Sequence, residues 1–286
     1  MASPAAATVL GMGAILLWAT LATLTTLKGP IPPFQTTAIV FAIGAAVSVL
    51  VALARGRQHC IRPTAASLAL GIYGLFGYHA LYFAALKLAP PAEAHLISSL
   101  WALLTVLLSG LLPGAGLRVR HVLAAFLGLA AAAILVWDQL DLVQGTDAKR
   151  MGFGLALGCA LVWSTYSVGS RLLAGVPSES IAVSCLATAA LAFVCSLLFE
   201  QWTMPVDRTA WLALLGLGLG PVGAAFLLWD IGMKGGSVPL LGVLSYASPI
   251  ISTGLLMLLG LAAPTWALAV ACVLMVVAAV VATRAG

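Results

Sequence analysis

LLWDIGMKGGSVPLLGVLSYASPIIST, residues 227–253, sets the terms on which the chain is read. It is apolar almost throughout, yet it carries Trp229, Asp230, Lys234, Ser245, Tyr246, Ser248, Pro249, Ser252 and Thr253. In so apolar a setting, polar groups at that density need water, a ligand or one another. The stretch therefore reads as one wall of a substrate pathway through a membrane. Within it, Trp229 to Gly236 reads as the end of a span followed by a tight turn. Asp230 and Lys234, four residues apart, then form an interfacial pair worth about a few tenths of a kcal/mol.

The composition agrees. Of 286 residues, 63% are hydrophobic and 7% charged, and the mean hydropathy is +1.14. A soluble domain carries roughly 25% charged residues, so the expected solvent is a lipid bilayer. A helical span needs roughly 20 residues, because 1.5 Å of rise per residue must cross about 30 Å of hydrocarbon. The chain has room for about ten spans with short loops and none for a separate soluble domain. The N-terminal MASPAAATVL lacks a charged region ahead of its apolar run and reads as the start of the first span, not as a cleaved signal. The net charge of +5 does not point to nucleic acid, since the basic residues fall in loops between spans. Cysteines 60, 159, 185, 195 and 272 show no CxxC or Cys/His spacing, so no disulfide frame, metal site or cofactor is expected.

Breakers and charges place the spans at 6–27, 34–54, 65–87, 91–112, 119–137, 151–173, 179–199, 209–231, 237–259 and 264–283. Prolines mark several starts, at Pro32-Pro33, Pro63, Pro90-Pro91, Pro177 and Pro264, where a missing N–H costs little. Only helices suit these segments, because lipid cannot satisfy an open backbone. Arg55, Arg57, Arg62, Arg118, Arg120, Arg171, Lys234 and Arg284 collect on one side of the membrane. Lys28, Lys87, Lys149, Arg150 and Arg208 lie on the other. Positive charge favours the cytoplasm, so both termini are expected there.

The most hydrophilic connection, 138–150, divides the chain into a first five-helix repeat (1–138), an extracytoplasmic linker (139–150) and a second five-helix repeat (151–286). Leu17-Trp18-Ala19-Thr20 answers Val162-Trp163-Ser164-Thr165. A single shift of 147 residues pairs Tyr82 with Trp229, Lys87 with Lys234, Ser98 with Ser245 and Thr105 with Ser252. An odd number of spans per half inserts the halves upside down relative to one another, an arrangement of transporters with a site near the midplane. The expected fold class is all-α integral membrane, with ten transmembrane helices in two inverted five-helix repeats around a central cavity.

Polar side chains recur at helical spacing in spans 1, 3, 4, 6 and 9. The substrate-binding candidates are Trp18, Tyr78, His79, Tyr82, Ser98, Trp101, Trp163, Tyr166, Ser245, Tyr246 and Ser248. His95, Thr105 and Ser109 share the span 4 stripe. The plainer reading of a membrane serine is a bond to its own i−4 carbonyl. For Trp137, Trp202, Trp211 and Trp266, near span ends, it is an interfacial belt. His79 stands out as the one midplane group that titrates near neutral pH. No Asp, Glu, Lys or Arg falls at a span centre, so a facilitative carrier is expected. Aromatic faces and hydroxyls suit a small zwitterion, whose ammonium gains about 0.5–2 kcal/mol over a Trp or Tyr ring. Pro221, in a glycine-rich stretch, and Pro249 are hinge candidates, since an interior proline removes a helix hydrogen bond. No HExxH, GxSxG or phosphate-cradling loop occurs, so no catalytic residue is assigned.

These features resemble the drug/metabolite transporter superfamily in its EamA-type branch, over essentially the whole chain. Trp229-Asp230-x-Gly232-Met233-Lys234-x-Gly236, Leu240-Leu241, Ser245-Tyr246, Pro249 and Ser252-Thr253 resemble the YddG-type aromatic amino-acid exporters. Ser99-Leu100-Trp101-Ala102-Leu103-Leu104-Thr105 is similar to their span 4 pattern, with Ser99 and Ala102 in place of the usual Tyr and Pro and, in span 9, Ser237 in place of Asn. The resemblance implies export of amino acids across the bacterial inner membrane by alternating access, with a small-molecule substrate and the lipid bilayer as partners. A monomer is expected. The alternatives are carriage of other small metabolites or hydrophobic cationic drugs and, more remotely, an intramembrane enzyme or scaffold.

Overall fold

Helices make up every regular element among the described residues of the computed structural model, which are 3–89, 91–113, 117–135, 147–260 and 266–283. Trp137, Pro90, Pro264, Arg284 and most of the predicted linker lie outside them. Among the described residues, seven helical runs are long and apolar enough to cross a bilayer: Pro4–Leu27, Pro33–Ala54, Ala65–Leu88, Asp147–Leu172, Ser178–Phe199, Arg208–Gly235 and Val238–Leu258. Leu100–Ser109, Val119–Ile134 and Ala269–Ala282 are shorter apolar helices. The all-helical, multi-pass reading therefore stands in this coarse form.

In the first half the helices are α1 (Pro4–Ala19), α2 (Leu21–Leu27), α3 (Pro33–Ala54), α4 (Ala65–Ile72), α5 (Tyr78–Leu88), α6 (Pro91–Ser98), α7 (Leu100–Ser109) and α8 (Val119–Leu135). The second half holds α9 (Asp147–Leu172), α10 (Ile181–Phe199), α11 (Arg208–Leu217), α12 (Ala225–Gly235), α13 (Val238–Leu244), α14 (Ala247–Leu258) and α15 (Trp266–Thr283). Two boundaries differ from expectation. α9 takes up Asp147–Arg150 of the predicted linker, because an aspartate in a first turn suits the helix dipole. α12 continues to Gly235, so the anticipated tight turn begins only at Gly236.

Several predicted spans are broken, and the breaks have local causes. In span 4, the Ser98 and Ser99 hydroxyls both donate to the His95 carbonyl at 2.8 Å, and α7 restarts after them. Such back-bonding bends helices. In span 9, Pro249 has no N–H for the Ser245 carbonyl, and the Ser248 amide takes it at 3.1 Å. The helix stops at Leu244 and resumes at Ala247. Pro249 thus sits in the first turn of α14, where a missing donor costs little, and the bend lies on its N-terminal side. Spans 3 and 8 carry π-helical turns at Tyr73–Gly77 and Gly218–Ala224. Shifted by 147 residues, Gly77 at the C-terminal end of the first π turn falls on Ala224 at that of the second, and Ser99 falls on Tyr246.

The helices cluster into two compact units, each drawing on both predicted repeats. The first comprises Met1–Phe76 and Gly169–Gly236. In it α3 runs along α10 and α1 along α12. Gly44 lies so close to Gly223 that a Cβ would come within 3.2 Å of its Cα, an approach no larger residue permits. The Glu200 carboxylate caps α3, accepting from the Phe34 amide at 2.8 Å and the Gln35 amide at 2.9 Å. The buried Gln35 side chain exchanges two bonds with the Thr203 backbone, at 2.7 and 2.9 Å. The second unit comprises Gly77–Val168 and Ser237–Gly286. In it α8 lies along α15 and α7 along α13. Large apolar side chains are exposed on several helices, among them Leu197 and Leu198 on α10 and Val273 and Val276 on α15. Lipid, not water, satisfies such surfaces.

Candidate functional site

In the second unit, α5, α6, α7 and α9 bring aromatic side chains together around Trp163. Its ring lies 5.3 Å from Tyr78, 5.3 Å from Tyr166 and 6.2 Å from Trp101, at interplanar angles of 51–76°. Tilted and edge-on rings place positive edges on negative faces, worth about 0.5–1.5 kcal/mol per pair beyond burial. Tyr78 and Tyr82, one turn apart on α5, stack at 5.8 Å with an angle of 8°. The thiol of Cys159, one turn before Trp163, lies 3.6 Å from the Tyr78 carbonyl. Trp163 and Tyr166 are buried, whereas Tyr78, Tyr82 and Trp101 are half-buried. The part-open faces therefore belong to α5 and α7, and α9 backs them.

Two histidines join this group. His79 lies against Tyr78 at 5.3 Å and Phe83 at 6.1 Å. His95, on α6, has its Nδ1 3.1 Å from the Tyr82 hydroxyl and its ring 6.3 Å from the Tyr82 ring. His79 is therefore not alone as a titratable group near the aromatic cluster. His95 shares the span 4 stripe but is not among the substrate-binding candidates read from the sequence. The 13-residue separation from Tyr82 crosses a helix break, so no helical spacing links the two. Ser98 is buried, with its hydroxyl turned to the His95 carbonyl and Tyr78 also a partner.

The remaining candidates are placed elsewhere. Trp18 belongs to the first unit. Its indole N–H donates to the Pro221 carbonyl at 2.9 Å, and its ring lies 5.0 Å from Trp229 and 6.1 Å from Phe226. Phe226 in turn stacks on Phe41 at 5.4 Å. Trp229, Phe226 and Phe41 are buried, so this second aromatic group is packed core. Pro221 lies in the π turn, and its carbonyl is the acceptor of the Trp18 bond. Ser245 donates to the Leu241 carbonyl at 2.7 Å. Tyr246 is buried, and its oxygen accepts from the Leu103 amide at 3.1 Å. Leu103 is in the first turn of α7, where amides lack helical partners. Tyr246 thus caps the broken span 4, while Ser248 lies in the first turn of α14, just after the break.

Asp230 and Lys234 require a correction. They pair at 2.7 Å as expected, but their side chains are only 6% and 11% exposed. Lys234 also donates to the Val176 carbonyl at 2.9 Å, and Ser178 is a further partner of Asp230. The Arg171 guanidinium lies 2.6, 3.3 and 3.1 Å from the carbonyls of Lys234, Met233 and Gly236, closing the C-terminal end of α12. Arg57 pairs with Glu179 at 2.8 Å alongside. The pair is thus the centre of a buried network within the first unit, far from the few tenths of a kcal/mol expected of an exposed pair. No group of three or more His, Cys, Asp or Glu able to hold a metal occurs among the described residues.

Residues 5–137 and 150–284 match the sequence profile described as the EamA-like transporter family. The chain is 51% identical over 282 residues, 98% of each chain, to a protein of Ancylobacter novellus named aromatic amino acid exporter YddG. It is 23% identical over 219 residues to an uncharacterized transporter, YyaM, of Bacillus subtilis, covering 72% of this chain and 70% of that one. A solved crystal structure with 52% identity superposes with a TM-score of 0.94 over 98% of this chain and 97% of its own.

Proposed function

We propose, from the premise that this chain belongs to the EamA-like transporter family, that it exports amino acids, aromatic ones included, across the bacterial inner membrane. It is a transporter and not an enzyme. The observation that carries the choice of substrate is the uncharged aromatic wall of Tyr78, Tyr82 and Trp101 backed by Trp163. An aromatic side chain stacks on such rings, and an ammonium gains about 0.5–2 kcal/mol over their faces. His79, Ser98 and Tyr166 complete the proposed wall. Ser245 and Tyr246 hold the helix break in span 9, and Trp18 holds Pro221 within the first unit.

The proposed topology is ten spans in two inverted repeats, with both termini cytoplasmic and alternating access as the cycle. Two separate matches to the family profile support it, as do helix breaks that recur at one shift in sequence. The carrier is facilitative in this reading, because no span centre supplies a carboxylate for ion coupling, and it is read as a monomer. Proteoliposomes of the purified protein should exchange labelled phenylalanine and tryptophan. Trp101→Ala should reduce exchange at least tenfold, and unlabelled aromatic amino acids should compete. Exchange unchanged in Trp101→Ala and in Trp163→Phe would remove the aromatic wall from the site. Competition by hydrophobic cations alone would remove the amino acid.

A further inference from the structure

His95 is held from two sides. Its carbonyl accepts from the Ser98 hydroxyl at 2.8 Å, the Ser99 hydroxyl at 2.8 Å and the Ser99 amide at 2.9 Å. Its Nδ1 lies 3.1 Å from the Tyr82 hydroxyl. Where the phenol donates and Nδ1 accepts, the ring proton is on Nε2. The side chain is exposed, and Nε2 makes no hydrogen bond among the described residues. The neighbouring hydroxyls are already committed, Ser98 and Ser99 to the His95 carbonyl and Thr105 to the Trp101 carbonyl. The result is one oriented N–H donor at the edge of an aromatic wall.

We propose that His95 Nε2–H is the donor that recognises the substrate's carboxylate, with Tyr82 as the positioning residue that sets its tautomer. The inference rests on the proposed amino-acid substrate and deepens it. An aromatic wall attracts the ammonium and the side chain but repels an anion from its ring faces. The carboxylate then needs a donor near the wall, and a hydrogen bond to a charged group is about twice as strong as a neutral one. Replacing the carboxylate by a neutral amide leaves the rest of the ligand intact and weakens that bond.

The test measures inhibition of labelled phenylalanine exchange in proteoliposomes by phenylalanine and by phenylalaninamide. Wild type should favour the acid. His95→Leu should raise the inhibition constant of phenylalanine at least tenfold and that of the amide less than threefold, so the preference collapses. His95→Gln, which keeps an N–H donor, should recover part of the preference. Tyr82→Phe should give an intermediate loss. Melting temperatures near wild type show that the variants fold. An equal loss for both ligands, or a preference unchanged in His95→Leu and His95→Gln alike, overturns the assignment. If wild type exchanges neither phenylalanine nor tryptophan, the substrate reading itself fails, and His95 falls with it.

Discussion

The oxygen of Tyr246 accepts a hydrogen bond from the amide of Leu103 at 3.1 Å, joining the break in span 9 to the restart of span 4. Tyr246 lies 147 residues after Ser99, and its phenol links the two helix breaks. A buried phenol with its oxygen committed in this way braces the helices that carry the site. Tyr246→Phe leaves the Leu103 amide bare at a cost of about 1–3 kcal/mol. The melting temperature should fall while the apparent affinity for substrate is kept. A weakened affinity at unchanged stability would return Tyr246 to the binding surface.

Gly128 tests the same contact from the other side. A Cβ at this position would lie 2.7 Å from Tyr246 Cγ, inside the ring's van der Waals envelope. Gly128→Ala should therefore destabilise by about 1–3 kcal/mol, the usual range for overpacking. The double variant Gly128→Ala with Tyr246→Leu should melt higher than Gly128→Ala alone, because the obstructing ring is gone. Additive losses would place the strain elsewhere.

The buried pair of Asp230 and Lys234 predicts a pattern opposite to that of an exposed one. Removing one partner leaves a buried charge, which costs about 3–5 kcal/mol. Asp230→Ala and Lys234→Ala should each lower the melting temperature strongly. Asp230→Leu combined with Lys234→Met should lose less than either single variant, since it buries no lone charge. A thermal-melting double-mutant cycle reads the coupling directly.

Lys28 follows α2 outside the spanning segment, with its ammonium 2.6 Å from the Ile31 carbonyl. Burial lowers its pKa below the ordinary 10.5, and the Glu200 carboxylate opposes that shift. A lysine whose folded-state pKa is depressed opposes folding while both states are protonated. The penalty is relieved as pH rises through the folded-state value toward 10.5. The melting temperature of wild type relative to Lys28→Met should therefore rise with pH on the alkaline side. Glu200→Gln should make the wild-type penalty larger and weaken the cap on α3, worth about 0.3–1 kcal/mol. A difference flat from pH 7 to 10.5 would contradict the sign.

The members of the aromatic cluster were legible in the sequence. Tyr78, Tyr82, Trp101 and Trp163 stand out as aromatic groups far from span ends in a chain with few charges, and the structure gathers all four in one unit. Tyr78 and Tyr82 share a face because they are four residues apart on one helix. The pairing of Tyr82 with His95 was not legible, since the chain turns between two helices before bringing them to 3.1 Å. Trp18 and Trp163 have matching sequence contexts and different surroundings: the first bonds Pro221 and packs in core, while the second backs part-open rings.

Composition and spacing alone were enough for a helical membrane chain and for the approximate limits of the seven long apolar helical runs among the described residues. Those properties are local, because transfer into lipid and helix geometry act on each segment separately. In 227–253, local patterning makes Asp230 and Lys234 an interfacial pair and Tyr246 a binding candidate. Packing against Val176, Arg171 and Leu103 makes the first a buried network and the second a helix cap. Burial and partner choice depend on segments far apart in sequence, and the period of a helix carries no record of them.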